Sequence, residues 1–246
     1  CSYQILDDEA RTLTFSIPTE IDEGQTANGT ISLPEGVIAS SDITVTLTRR
    51  TTSTTAASGD ITFPASVVIR QNTNSATFTM QAQTDKVLEY QENLELEASG
   101  DVLGVTQSAT ATVAVKDRTY DDPANRVITM RPVPGVTVGE PYSGGLQFSL
   151  PAGVTTDIPI FITLGALHND PASTATVADY TLDSTAFRIG TGNSVTIPFT
   201  VIDDNLVEGT ERLHVTATVA DATSRAYDFA PYDILILDDD ANSLKV

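Results

Sequence analysis

The densest potential chemistry in this chain lies in two short stretches. VIDDNLVEGTE, residues 201–211, places Asp203, Asp204, Glu208 and Glu211 within nine residues, directly after an apolar run. ILIL, residues 234–237, runs straight into Asp238, Asp239 and Asp240. So many carboxylates repel one another unless a cation compensates them. The chemistry on offer is hard-cation binding. Ca²⁺ takes six to eight oxygen ligands, often from several loops, whereas Mg²⁺ rarely uses an all-protein cage. Zinc and the other transition metals favour His or Cys. His168 and His214 fall outside these stretches, and the single cysteine is residue 1. A solvated acidic rim is the competing reading, so the elements that carry the acids must decide.

Composition narrows those elements. Thr, Val, Ser and Ala dominate 246 residues without Trp, a bias toward strands and turns. No apolar run reaches the length of a transmembrane helix. With 33 acidic against 13 basic residues, the net charge is −20. There is no basic footprint for nucleic acid, and an anionic membrane surface is disfavoured for the same reason. Cations are the natural partners.

The chain repeats itself. TISLPEGV (30–37) aligns with QFSLPAGV (147–154), and TDKVLEYQE (84–92) with DDNLVEGTE (203–211). ASGDITF (57–63) aligns with TVADYTL (176–182), and TVAVKDR (112–118) with LILDDD (235–240). Each copy holds seven short runs, most of alternating apolarity, separated by turn residues: in the second copy VITMRP, LQFSLP, IPIFITL, AFRI, SVTIPFTVI, LHVTATV and YDILIL. The expected fold is all-β: two tandem immunoglobulin-like antiparallel β-sandwiches. The expected division is a tether over 1–11, domains over 12–118 and 126–241, a linker over 119–125 and a tail over 242–246.

If successive strands alternate in direction, the loops after the first, third and fifth strands share one end with the exit of the seventh. In the second copy those positions hold Glu140, Asp179, Asp203, Asp204, Glu208, Glu211, Asp238, Asp239 and Asp240. A solvated rim accounts for the charge but not for the convergence of four segments. In the first copy Glu23, Asp60, Asp85, Glu89, Glu92 and Asp117 occupy the matching places. Thr84 stands for Asp203, and Lys116 and Arg118 are expected where the second copy has Asp238 and Asp240. Two cations beside the remaining acids imply weak calcium binding or none there.

GVTVGE, TATVADYTL, SVTIPFTVIDDNLVEGTE and ILILDDD together resemble the Calx-β domain. The resemblance covers both copies and is fuller in the second. It implies an immunoglobulin-like sandwich that binds calcium through its distal loops. Glu140, Asp179, Asp204, Glu208, Glu211, Asp238, Asp239 and Asp240 would be ligands, with Asp203 either a ligand or a support to one.

Cys1 followed by SYQILDDEA resembles the start of a mature bacterial lipoprotein of the Bacteroidetes surface type, with Asp7, Asp8 and Glu9 as an export-like acidic run. A fragment boundary is the alternative. The resemblance implies a lipid on Cys1, the only expected tie to a membrane, and an outer-membrane, cell-surface or otherwise extracellular location. An enzyme is not expected: neither histidine has an evident nucleophile partner. The expected role is a calcium-binding structural spacer, adhesion unit or subunit of a surface complex. A glycan-binding accessory lipoprotein of an uptake system is the alternative, although the seven tyrosines form no obvious platform. The partner would be another surface protein or a glycan.

Overall fold

The computed structural model describes residues 12–135 and 138–240. The expectations at Cys1, over the tether and over the tail therefore lie outside the described residues. The chain divides into two compact units. One runs to Asp85 and resumes over Tyr90–Arg118; the other comprises Lys86–Glu89 and everything from Thr119 onward.

The first unit is a sandwich of two sheets. One orders Thr14–Ser16, Thr26–Ser32, Ser75–Ala82 and Ile61–Thr62. The other orders Glu20–Asp22, Val105–Lys116, Glu92–Val102, Ile43–Arg49 and Ser66–Ile69. The strands follow their period-two patterns. ITVTLTR buries Ile43, Val45 and Leu47 and turns its threonines outward. The inner faces meet in a core that includes Ile31, Phe78, Met80, Leu94, Leu96 and Val113.

The sequence runs conceal one feature. The first strand breaks in two: Thr14–Ser16 pairs antiparallel with Thr26–Ser32, whereas Glu20–Asp22 crosses to the other sheet, parallel to Val105–Lys116. Pro18 lies in the gap, where a missing N–H can interrupt the ladder. The second unit does the same. Val127–Val133 pairs with Tyr142–Ser149, and Val138–Gly139 then runs parallel to Tyr232–Leu237, with Pro134 between. Its core includes Ile128, Leu146, Phe148, Ile162, Phe199, Leu213 and Ile234.

Two expected boundaries need correction. Lys86–Glu89, expected in the first domain, belongs to the second unit. There Val87–Leu88 runs parallel to Thr155–Thr156, and Leu88 is fully buried in the core. An apolar pair in an otherwise charged loop is what allows this. The stretch expected as a linker, 119–125, is packed structure of the second unit. It holds the 3₁₀ turns Thr119–Asp121 and Pro123–Arg126, the second capped by Asp122, whose carboxylate accepts the Ala124 N–H at 2.9 Å. Tyr120 lies between the guanidinium groups of Arg126 and Arg225, 4.8 and 4.6 Å from its ring centre, and its hydroxyl donates to the Ala226 carbonyl.

Candidate metal centre

Strand register brings the acids of the second unit together. Val138 pairs with Ile236 and Gly139 with Leu237, so Glu140 and Asp238 leave adjacent strands side by side. The Glu140 N–H donates to the Leu237 carbonyl at 3.0 Å. Glu211 begins its strand opposite Ile236. Tyr180 pairs with Val201, and the Ile202 N–H donates to the Asp179 carbonyl at 2.9 Å, which sets Asp179 beside the Asp203–Asp204 loop. That loop is tied to the seventh strand's exit, where Asp238 accepts the N–H of Glu208 at 2.7 Å and of Asp240 at 2.9 Å.

Several of these carboxylates are withdrawn from water without compensation. Glu140 is only 8% exposed, and no described residue donates a hydrogen bond to its carboxylate. Burial raises its pKa, and the charges of Asp204, Asp238, Glu208 and Asp179 raise it further. Glu211 is raised to about 7, first by burial and then by Asp179, Glu208 and Glu140. Its Oε2 is buried with no hydrogen-bond partner among the described residues, as is Oδ2 of Asp240. The pKa of Asp240 is raised by burial and by Asp238, Asp239, Asp204 and Asp203; that of Glu208 by burial, Asp204, Asp179 and Asp238. Asp179, Glu208 and Glu211 bring oxygens within 4.8 Å of one another. All nine expected residues thus fall in one charge cluster, with Asp203 and Asp239 at its exposed margin. Two further anchors escape sequence reading: Asp179 accepts the Thr176 N–H, and Asp204 the Leu206 N–H at 2.7 Å. These turns hold the two carboxylates in place.

The first unit repeats the scheme in part. Its Glu23 is as buried as Glu140, and its N–H donates to the Lys116 carbonyl at 3.1 Å. Burial is the main cause that raises its pKa to about 7; the charges of Asp117, Asp85 and Asp60 add to it, and the Arg118 N–H opposes it. Oδ2 of Asp60 is buried without a partner among the described residues. Glu92 opens its strand opposite Val115, as Glu211 does opposite Ile236. Glu89 falls in the second unit.

The register also corrects the expected alignment at the seventh strand. Lys116 pairs with Asp22 as Leu237 pairs with Gly139. Asp117 is therefore the counterpart of Asp238, Arg118 of Asp239 and Thr119 of Asp240. Lys116 replaces no ligand: its ammonium lies 2.5 Å from Glu20. The sequence hides this one-residue offset because ILIL is apolar at every position and does not show which residues face the core.

The histidines lie elsewhere. His168 Nδ1 is 2.9 Å from the Tyr180 hydroxyl, and His214 Nδ1 is 2.6 Å from Asp233 across the strand pair.

Fold and site together define a tandem of immunoglobulin-like β-sandwiches, one of them with a full acidic cluster at its loop end. No family model and no curated protein matches the chain. Among solved structures it is similar to CBD12 from CALX1.2, at 15% identity and a TM-score of 0.35, over 86% of this chain and 83% of that one. It is also similar to the calcium binding domain CBD12 of CALX1.1, at 11% identity and a TM-score of 0.34, over 84% and 80%. The Salmonella enterica SafA pilin in complex with the SafB chaperone matches at 10% identity and a TM-score of 0.35, over 93% and 98%. The functional reading rests on the residues of the chain itself.

Proposed function

We propose that the second unit is a Calx-β-like calcium-binding module in a non-enzymatic cell-surface or extracellular protein. The observation that carries this is Glu140: a residue only 8% exposed, whose carboxylate has no donor among the described residues and four acidic neighbours. Left without a counter-charge, such a group is disfavoured in its ionised form, and a bound cation would remove that penalty. Glu140, Asp179, Asp204, Glu208, Glu211, Asp238 and Asp240 would hold the ion, with Asp203 and Asp239 adding charge at the rim. Their donor set is oxygen only, which suits Ca²⁺. The ion supplies the positive charge that these loops lack and ties four segments into one rigid end. Glu23, Asp60, Asp85, Glu92 and Asp117 make a second, weaker set, with Arg118 where the other unit has Asp239.

The role that fits is a spacer, adhesion unit or subunit of a surface complex. Extracellular modules work with calcium dissociation constants of about 10⁻⁴–10⁻³ M, which surface-held carboxylate loops can meet. A lipid on Cys1 would set the location at the outer membrane, and intact mass of the native chain reads it directly.

Calorimetry of the full chain with calcium and with a chelator tests the calcium reading. A ligand at about 100 times its dissociation constant stabilises by roughly 2.7 kcal/mol. For a unit of this size that is on the order of 10 °C or more in melting temperature. Equal melting in both conditions would leave only a solvated acidic rim.

A further inference from the structure

The second unit contains a small guest strand whose counterpart elsewhere in the repeat has no host among the described residues. Val87–Leu88 lies parallel to Thr155–Thr156. The Thr155 N–H donates to the Lys86 carbonyl at 2.9 Å and the Asp157 N–H to the Leu88 carbonyl at 3.2 Å. Leu88 is 0% exposed. Arg225 adds a hydrogen bond to the Glu89 carbonyl at 3.0 Å.

Both partners of this pairing recur. In the aligned repeat, Lys86-Val87-Leu88-Glu89 corresponds to Asn205-Leu206-Val207-Glu208. Leu206 and Val207 are 60% and 57% exposed, and the carbonyls of Asn205 and Val207 accept nothing from the described residues. The host edge Thr155-Thr156-Asp157 corresponds to Ile38-Ala39-Ser40. The local hydrogen bonds fix that equivalence: Val37 N–H to Pro34 matches Val154 N–H to Pro151, and Ala39 N–H to Thr73 matches Thr156 N–H to Gly192. On this edge the N–H groups of Ile38 and Ser40, which match those of Thr155 and Asp157, have no acceptor among the described residues. Ile38 is 60% exposed. Beside it lies a groove of about 770 Å³, lined in part by Leu33, Val37, Ile43, Val102 and Leu103. It is the vacant equivalent of the place that Leu88 fills.

We propose that the Asn205–Glu208 strand of one copy of the chain docks on the Ile38–Ser40 edge of a second copy. Leu206 lies opposite Ile38 and Val207 opposite Ala39. The carbonyls of Asn205 and Val207 accept the Ile38 and Ser40 N–H groups, and the Val207 side chain enters the groove. A guest and a host at different places on one molecule make a heterologous contact, so copies add head to tail into rings or open chains. Adding a strand to an exposed edge is an established mode of recognition, with main-chain bonds for affinity and a side-chain pocket for specificity. The contact is weak. By strand register Val105, which pairs with Val102, stands where Arg225 completes the filled site, and valine has no side-chain donor for the guest's last carbonyl. Assembly is therefore expected only at high concentration, roughly the millimolar range that tethered modules experience. The inference stands on strand pairing, but its guest lies in the loop that carries Asp204 and Glu208, so assembly is read both with calcium and with a chelator.

Sedimentation velocity of the full chain, over rising concentration and both with calcium and with a chelator, tests it. Two variants sharpen it: Val207→Glu removes the guest and keeps the host edge, and Ile38→Glu does the reverse. Both side chains are exposed, so neither change disturbs a core. The wild type should form a concentration-dependent ladder in at least one condition. Each variant alone should stay monomeric. An equal mixture should give a capped dimer and nothing larger, because only one complementary pair of faces remains. A wild type that stays monomeric throughout overturns the proposal. So does a variant that assembles alone as well as the wild type, or a mixture that yields no dimer.

Discussion

The two units agree at one end of the sandwich and diverge at the other. At the shared end an asparagine holds the turn after the second strand. Asn74 donates its side-chain amide to the carbonyls of Leu33, Pro34 and Val37 at 3.3, 2.9 and 2.6 Å. Asn193 does the same to Leu150, Pro151 and Val154 at 3.3, 3.1 and 2.7 Å. The motif LPxGV is thus a turn whose inward carbonyls need one amide, and both repeats supply it. At the other end the requirement is electrostatic rather than steric. A carboxylate there can be replaced, as Asp239 is by Arg118, without loss of a strand. One end thus answers to what folding demands, the other to the charge that a bound cation would balance.

The largest expected difference between the units follows from their buried glutamates. Glu140→Gln should abolish most of the calcium-dependent rise in melting, about the 2.7 kcal/mol scale given above. Glu23→Gln should remove only a small part. In chelator the order reverses in sign: Glu140→Gln should raise the melting temperature, because burial and four like charges disfavour its ionised form in the folded state. Calorimetry of the two variants in both conditions checks this. A Glu140→Gln chain that keeps the full calcium response would place the ion elsewhere.

Much of this was readable in the residues. Seven alternating runs per repeat gave the strands, because a half-buried strand must alternate. Acids placed at strand ends gave the cluster, because strand parity alone gathers those ends. Three things were hidden for physical reasons. The split of the first strand depends on which sheet completes its hydrogen bonds after Pro18, a tertiary choice. The equivalence of Arg118 with Asp239 depends on pairing register, which TVAVK and ILIL do not specify alone. The docking of Leu88 depends on a host edge some seventy residues away in the sequence. The asparagine clamps carry a signal in the sequence itself: Asn74 and Asn193 recur at the spacing of the repeat.

A middle-sized effect tests the shared end. Asn74→Ala and Asn193→Ala each leave three carbonyls with fewer donors, at a cost of about 1–2 kcal/mol. The cost should be similar in the two units and unchanged by calcium, since the clamps sit away from the acids. Urea unfolding followed in calcium and in chelator measures it. A clamp variant whose penalty depends on calcium would join the two ends energetically and undo their separation.

The smallest effect bears most directly on why the first unit falls behind. Arg118 occupies the position of Asp239, and its backbone N–H, which donates to Glu23 at 3.2 Å, survives any substitution of the side chain. Arg118→Asp therefore changes charge while it keeps the main-chain frame. In chelator the added carboxylate faces Asp117 and Glu23 and should lower stability. In calcium the same carboxylate should add to the ion's field and raise it. A gain of about 0.5–1 kcal/mol is typical for one exposed charge pair, or roughly 2–8 °C for a unit of this size. Arg118→Gln separates the two contributions, because it removes the cation without adding a ligand charge. If Arg118→Asp lowers melting equally with and without calcium, Arg118 is not what limits the first unit. The deficit would then lie at Thr84 or Thr119, the counterparts of Asp203 and Asp240.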